Sequence, residues 1–100
     1  MKTSTKIAQQ CDMIKDLLLE KNAKYGDSAL TPINVFSKLD AEEGIMARID
    51  DKMSRIKNSG LNADTEDTLN DLIGYLVLLK IARRDRVHKN IKLDMNGVTC

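Results

Sequence analysis

Residues 69–82, LNDLIGYLVLLKIA, constrain this chain more than any other segment. They are apolar nearly all round a helix, so one neighbouring helix could not cover them. Either a bundle wraps them or a second subunit does. No stretch approaches the roughly 18 apolar residues that crossing a bilayer requires, and the N-terminal MKTSTKIAQQ lacks the apolar run of a signal peptide. The expectation is a protein neither secreted nor membrane-embedded, with the cytoplasm as its default location.

The chain's 100 residues suffice for one domain with a modest core. With one Phe, two Tyr and no Trp, that core must come from Leu, Ile, Met, Val and Ala, which are mostly good helix formers. Sixteen basic against fifteen acidic side chains leave a net charge of +1, so the global positive field of a duplex nucleic-acid binder is missing and any anion site must be local. Cys11 and Cys100 form no metal-type pair and read as two reduced thiols.

Ile7, Cys11, Ile14 and Leu18 line one face of a helix over residues 4–24, with Gly26 as its stop. Thr31 and Pro32 then read as the cap and first position of a short helix carrying Val35, Phe36 and Leu39. Asp40 followed by Glu43 resembles a capping box and opens a helix that runs to about Asn58, with Ile45, Ile49, Met53 and Ile56 as its apolar stripe. A cap within residues 62–65, with Glu66 and Asp67 in the first turn, opens a last helix through about Arg84. The sequence therefore predicts an all-α bundle of three long helices and one short one, with residues 1–84 as a single domain. Residues 85–100, lacking sustained periodicity, are expected to form an extended or partly ordered tail. The excess apolar surface of residues 69–82 predicts a homo-oligomer.

Arg48, Asp51, Lys52 and Arg55 are spaced to project from one stripe bordering the apolar one. Three cations around one acid can hold a phosphate through charge-assisted hydrogen bonds, or they can simply form an intrahelical salt-bridge face. Asp67 and Asp71 lie one turn apart, flanked by Tyr75. Asp71, beside Leu72 and Ile73, needs a cation, a metal or a ligand if it is buried. Asp51, Asp67 and Asp71 could together coordinate Mg²⁺, which prefers oxygen ligands; equally, Arg48 or Arg55 could pair with Asp71. Gly74, unfavourable inside a helix, implies close approach of another helix or of a ligand. Tyr25 and Tyr75 could stack on a base or serve as core residues. No nucleophilic triad and no zinc pattern is present, and His88 reads as a surface histidine.

Three segments, KNAKYGD at 21–27, ARIDDKMSRIKN at 47–58 and TEDTLNDLIGYLVLL at 65–79, resemble the phage nucleotide-modification-associated domain family, a relative of the MazG-like all-α nucleotide pyrophosphohydrolases. The resemblance implies a helical bundle, often oligomeric, with a nucleotide between helices near subunit contacts. Its matching positions are Lys21, Asn22, Tyr25, Gly26, Arg48, Asp51, Lys52, Arg55, Glu66, Asp67, Asp71 and Tyr75. Lys24 departs from it, standing where the family favours an acid. A deeper departure concerns the paired E-x-x-E and E-x-x-D carboxylates with which MazG-like enzymes hold Mg²⁺. Here Thr68 stands in place of the Glu preceding Asp71, and Ser54 follows Asp51.

The imbalance of bases over acids favours capture without turnover. The expected ligand set is Lys21, Lys24, Tyr25, Arg48, Asp51, Lys52, Arg55, Asp67, Asp71 and Tyr75. The ligand would be a nucleotide or cyclic oligonucleotide, and for a phage-encoded protein in the host cytoplasm this suits sequestration of an immune signal. No cofactor is required. The rival is a Mg²⁺-dependent pyrophosphohydrolase using Asp51, Glu66, Asp67 and Asp71, with Asp67 and Asp71 on the metal; a third reading is a structural interaction module.

Overall fold

The computed structural model describes residues 1–61 and 66–99, with side chains described over 1–61 and 67–88. Three helices make up the fold: α1 (Thr3–Tyr25), α2 (Ala41–Ser59) and α3 (Glu66–Thr99). Among the described residues there is no strand, and no helix is long and apolar enough to cross a membrane.

The helix ends follow from local chemistry. α1 stops at Gly26, whose φ of 68° is open to a residue without a Cβ and whose N–H returns to the Asn22 carbonyl at 2.8 Å. α2 opens on Asp40, whose carboxylate accepts the Glu43 N–H at 2.8 Å. Glu42 and Glu43 in its first turn sit at the positive end of the helix dipole. It closes at Gly60 (φ 71°), which donates to the Ile56 carbonyl at 2.7 Å. The expected cap of the last helix, residues 62–65, lies outside the described residues, as do Cys100 and the side chain of Glu66.

Two expectations are corrected. No short helix forms over residues 31–39, which run from a turn into irregular backbone. Asn34 is the reason: its φ of 52° lies outside the right-handed helical region. Its side-chain amide also donates to the carbonyls of Ser37 and Leu39, both at 2.9 Å, satisfying groups that a helix would have paired along the backbone. The Leu39 N–H adds a bond to Ser37 Oγ at 3.2 Å. Nor does the last helix end near Arg84. It continues to Thr99, because extending an existing helix adds a hydrogen bond for each residue fixed and needs no new nucleus.

α3 is the spine. α2 lies against it along a longer seam than α1 does. The seam buries Ile45, 1% exposed, against the face of α3 that carries Thr68 and Ala82. At one end Arg86 Nε stands 2.9 Å from Glu42 Oε1, an ion pair without hydrogen-bond alignment. Ile49 and Ile56 are half-buried but Met53 is exposed, so the inward stripe of α2 runs Ile45, Ile49, Lys52, Ile56 and places a lysine where Met53 was expected. On α1 only Ile14 of the expected stripe is buried; Leu18 is half-covered, and Ile7 and Cys11 are exposed. The single chain does not wrap α3. Leu69, Ile73, Leu76, Val77 and Ile81 remain exposed along it.

Candidate functional site

Asp71 joins the three helices at one point. Its Oδ1 accepts a hydrogen bond from Lys21 Nζ of α1 at 2.9 Å, and its Oδ2 lies 3.1 Å from Lys52 Nζ of α2. Lys52 reaches it from the seam, where its side chain is 14% exposed, with the aliphatic stem packed and the ammonium directed at the carboxylate. Burial pushes the Asp71 carboxyl upward, but the hydrogen bonds and charges of Lys21 and Lys52 outweigh it and hold the group below the usual carboxylate value. The hydrogen bond to Asp71 in turn raises Lys21, against a smaller opposing effect of burial. Two ammoniums around one carboxylate leave the cluster with a net positive charge.

The partners of Asp71 are thus Lys21 and Lys52, not Arg48 or Arg55. Arg48 instead lies over the ring of Tyr75, 5.8 Å from its centroid, and Lys24 lies over Tyr25 at 5.4 Å. Asp51, Arg55 and Asp67 are exposed and line none of the cleft described next, so the stripe of Arg48, Asp51, Lys52 and Arg55 does not converge on one point.

Beside the cluster, α1, α3 and the turn after Gly26 enclose a cleft of about 130 Å³. Lys21, Tyr25, Asp71 and Tyr75 line it, with Leu17 and Leu78 as apolar wall. Gly74 forms part of its lining where the helices approach most closely: a Cβ there would stand 2.9 Å from Leu18 Cδ2. Of the two causes considered for Gly74, helix packing is therefore present, at the edge of the cleft. The volume is smaller than the 300–1,000 Å³ of typical small-molecule pockets, so one chain encloses only part of a nucleotide-sized ligand.

Several lining residues stand outside the expected ligand set. Asn70 projects one position before Asp71, and Asp27 and Ser28 come from the turn. Asn22, with its amide nitrogen turned towards that turn, donates to Asp27 Oδ1 at 2.9 Å and to the Gly26 carbonyl at 3.3 Å, bracing the rim of the cleft. The KNAKYGD segment held the signal for Asn22 and Asp27, since a helix ending at Gly26 brings its last turn and the following residues to the same edge.

The residues do not fit a MazG-like metal centre. Both Asp71 oxygens already face ammonium groups, and among the described residues no three His, Cys, Asp or Glu side chains gather as a metal would require. Lys21, Tyr25, Asp71 and Tyr75 do come together; Asp51, Arg55 and Asp67 stand outside the cleft, and Lys52 supports it from behind. No family model matches the chain, and neither does any curated protein or solved structure.

Proposed function

We propose that this protein binds a phosphorylated nucleotide-type ligand at the α1–α3 cleft and holds it without hydrolysis. The observation that carries the reading is the joint presence in one cleft of the Lys21–Asp71 ion pair, made net positive by Lys52 behind it, and of two tyrosines, Tyr25 and Tyr75. An ammonium offers a phosphate charge-assisted hydrogen bonds, while a ring offers a base a flat apolar face. Lys21 is the better placed of the two lysines, because nearly half of its side chain is open to solvent while it remains tied to Asp71.

Capture is favoured over turnover by the state of the carboxylates. Pyrophosphate cleavage of the MazG type uses clustered acids to hold metal ions, and the acid at the centre of this site is already committed to two lysines. The resemblance to phage nucleotide-modification-associated proteins supports a nucleotide immune signal of the host, linear or cyclic, as the ligand class. The small enclosed volume and the exposed side of α3 support a homo-oligomer in which a neighbouring copy completes the binding surface.

The test is to incubate the protein with a panel of linear and cyclic nucleotides, with and without Mg²⁺, record the melting temperature, and recover the ligand by heat denaturation. A rise in melting temperature with intact ligand released is expected. Lys21→Ala should weaken binding by about tenfold or more, the loss of one hydrogen bond to a charged group. Release of a monophosphate product would overturn capture in favour of hydrolysis. Failure of every nucleotide to raise the melting temperature would leave a structural interaction module.

A further inference from the structure

Lys21 and Asp27 line the same cleft, yet these opposite charges do not pair. Each is held by a partner of its own. Asp71 draws the Lys21 ammonium towards α3 at 2.9 Å. Asp27 is fixed on the α1 side, through its main chain and its side chain alike. Its carbonyl accepts the N–H groups of Leu30 at 3.0 Å and Thr31 at 2.7 Å, which closes the turn after α1. Its Oδ1 accepts from the Asn22 amide at 2.9 Å, which steadies the carboxylate and leaves Oδ2 without a donor. Among the described residues no lysine, arginine or histidine pairs with Asp27.

An uncompensated carboxylate is out of place in a cleft that holds only phosphate, because like charges repel. It suits a ligand that carries negative charge at one end and hydrogen-bond donors at the other. A second polar group points the same way. Asn70, half-buried on the α3 side of the cleft, has no hydrogen-bond partner among the described residues, and its amide can both donate and accept. Between these groups stand the tyrosines, each with a cation over one face of its ring, Lys24 on Tyr25 and Arg48 on Tyr75, and the opposite face of a ring is a surface on which a base can stack.

We infer that Asp27 is the base-reading residue of the cleft and that it selects guanine. Guanine presents a ring N–H and an exocyclic amino group side by side, next to a carbonyl. A carboxylate accepts from both donors at once, since its two oxygens offer about four lone-pair sites and Asn22 occupies one of them. Asn70 supplies the donor that the guanine carbonyl needs. Adenine places a ring nitrogen lone pair where guanine has its N–H, so it forfeits one bond and sets an acceptor against a carboxylate. The inference rests on the nucleotide reading proposed above and adds the base to it.

The test is calorimetric titration of the full chain with the monophosphates of guanosine, inosine, adenosine and xanthosine. Guanosine monophosphate should bind about tenfold or more tighter than adenosine monophosphate, the discrimination expected of one bidentate contact to a base. Inosine monophosphate, which keeps the ring N–H and lacks the amino group, should fall between them. Asp27→Asn retains an oxygen for the Asn22 amide and for the ring N–H but replaces the other acceptor by a donor. It should therefore reverse the preference from guanosine to xanthosine monophosphate, whose carbonyl stands where guanine has its amino group. A gain of affinity cannot come from a damaged fold. Equal affinity for the guanosine and adenosine forms would overturn the inference and leave nucleotide capture standing. An Asp27→Asn variant that keeps the guanine preference, or that weakens all four ligands alike, would overturn it too and make Asp27 only a brace of the turn. Failure of all four to bind the native protein would overturn the base reading and the nucleotide reading together.

Discussion

α3 presents two faces built from one apolar run, and they meet different fates. Towards α2 it is closed: Ile45, Thr68 and Ala82 are buried, and an ion pair sits at one end of the seam. Towards α1 it is open: Ile14 is buried, but the helices touch at Gly74 and leave a cleft on one side and an apolar groove on the other. The difference teaches that the seam carries the stability of the single chain, while the α1 side carries the surfaces available to ligands and partners. Asp71 belongs to both, since its two oxygens face lysines from the two flanking helices.

The largest effect should come from the closed face. Ile45→Ala removes a side chain that is almost wholly enclosed, and should cost about 2–5 kcal/mol by urea denaturation. A loss under about 1 kcal/mol would mean that the site collapses freely and the seam is not close-packed.

Asp71→Asn acts on the joint and should be intermediate, about 1–3 kcal/mol near neutral pH, because Lys52 is left in the seam without its counter-charge. Its pH dependence sharpens the assignment. The folded Asp71 titrates below its ordinary value of 3.8, so its stabilisation is complete above that value and fades as the pH falls through the folded pKa. Lys21 titrates above its ordinary 10.5, so its share is complete below that value and is lost as the pH rises through the folded one. Asp71→Asn should remove this group's part of the acid-side decline. Acid unfolding curves that run parallel for native and variant proteins would remove Asp71 from the account.

Gly74→Ala should have the smallest effect on stability, within about 1 kcal/mol, because the gain in helix propensity opposes the crowding of Leu18. Its effect on ligand affinity should be larger, since the cleft narrows at its own lining. A variant that binds nucleotide as well as the native chain would detach the cleft from the function proposed for it.

What could be read in the sequence divides along the same physical line. The ends of α1 and α2 were legible because Gly26, Asp40 with Glu43, and Gly60 act on backbone groups within four residues. Asp71 was legible as a residue needing a partner, because it sits one turn into an apolar helix. Its partners were not: Lys21 lies 50 positions away, and recognising Lys52 required placing it, rather than its neighbour Met53, on the inward side of α2. The loop was misread as a helix because Thr31 and Pro32 give a sound start signal, whereas Asn34 adopts a left-handed conformation that residue type alone does not require. The C-terminal part of α3 was misread because it lacks an amphipathic pattern, which helix propagation does not need.

The length of α3 also governs how the molecule travels through solution. Thirty-four residues make a rod of about 51 Å at 1.5 Å per residue, against a longest dimension of 56 Å for the whole chain. The radius of gyration is accordingly 16.9 Å, where a rounded chain of this length would have about 13 Å. A globule that large would contain roughly 210 residues, so by shape alone a lone copy would pass for a pair. Migration through a sieving matrix will therefore mimic dimerisation whether or not two chains meet, and only a technique that weighs the particle can count them.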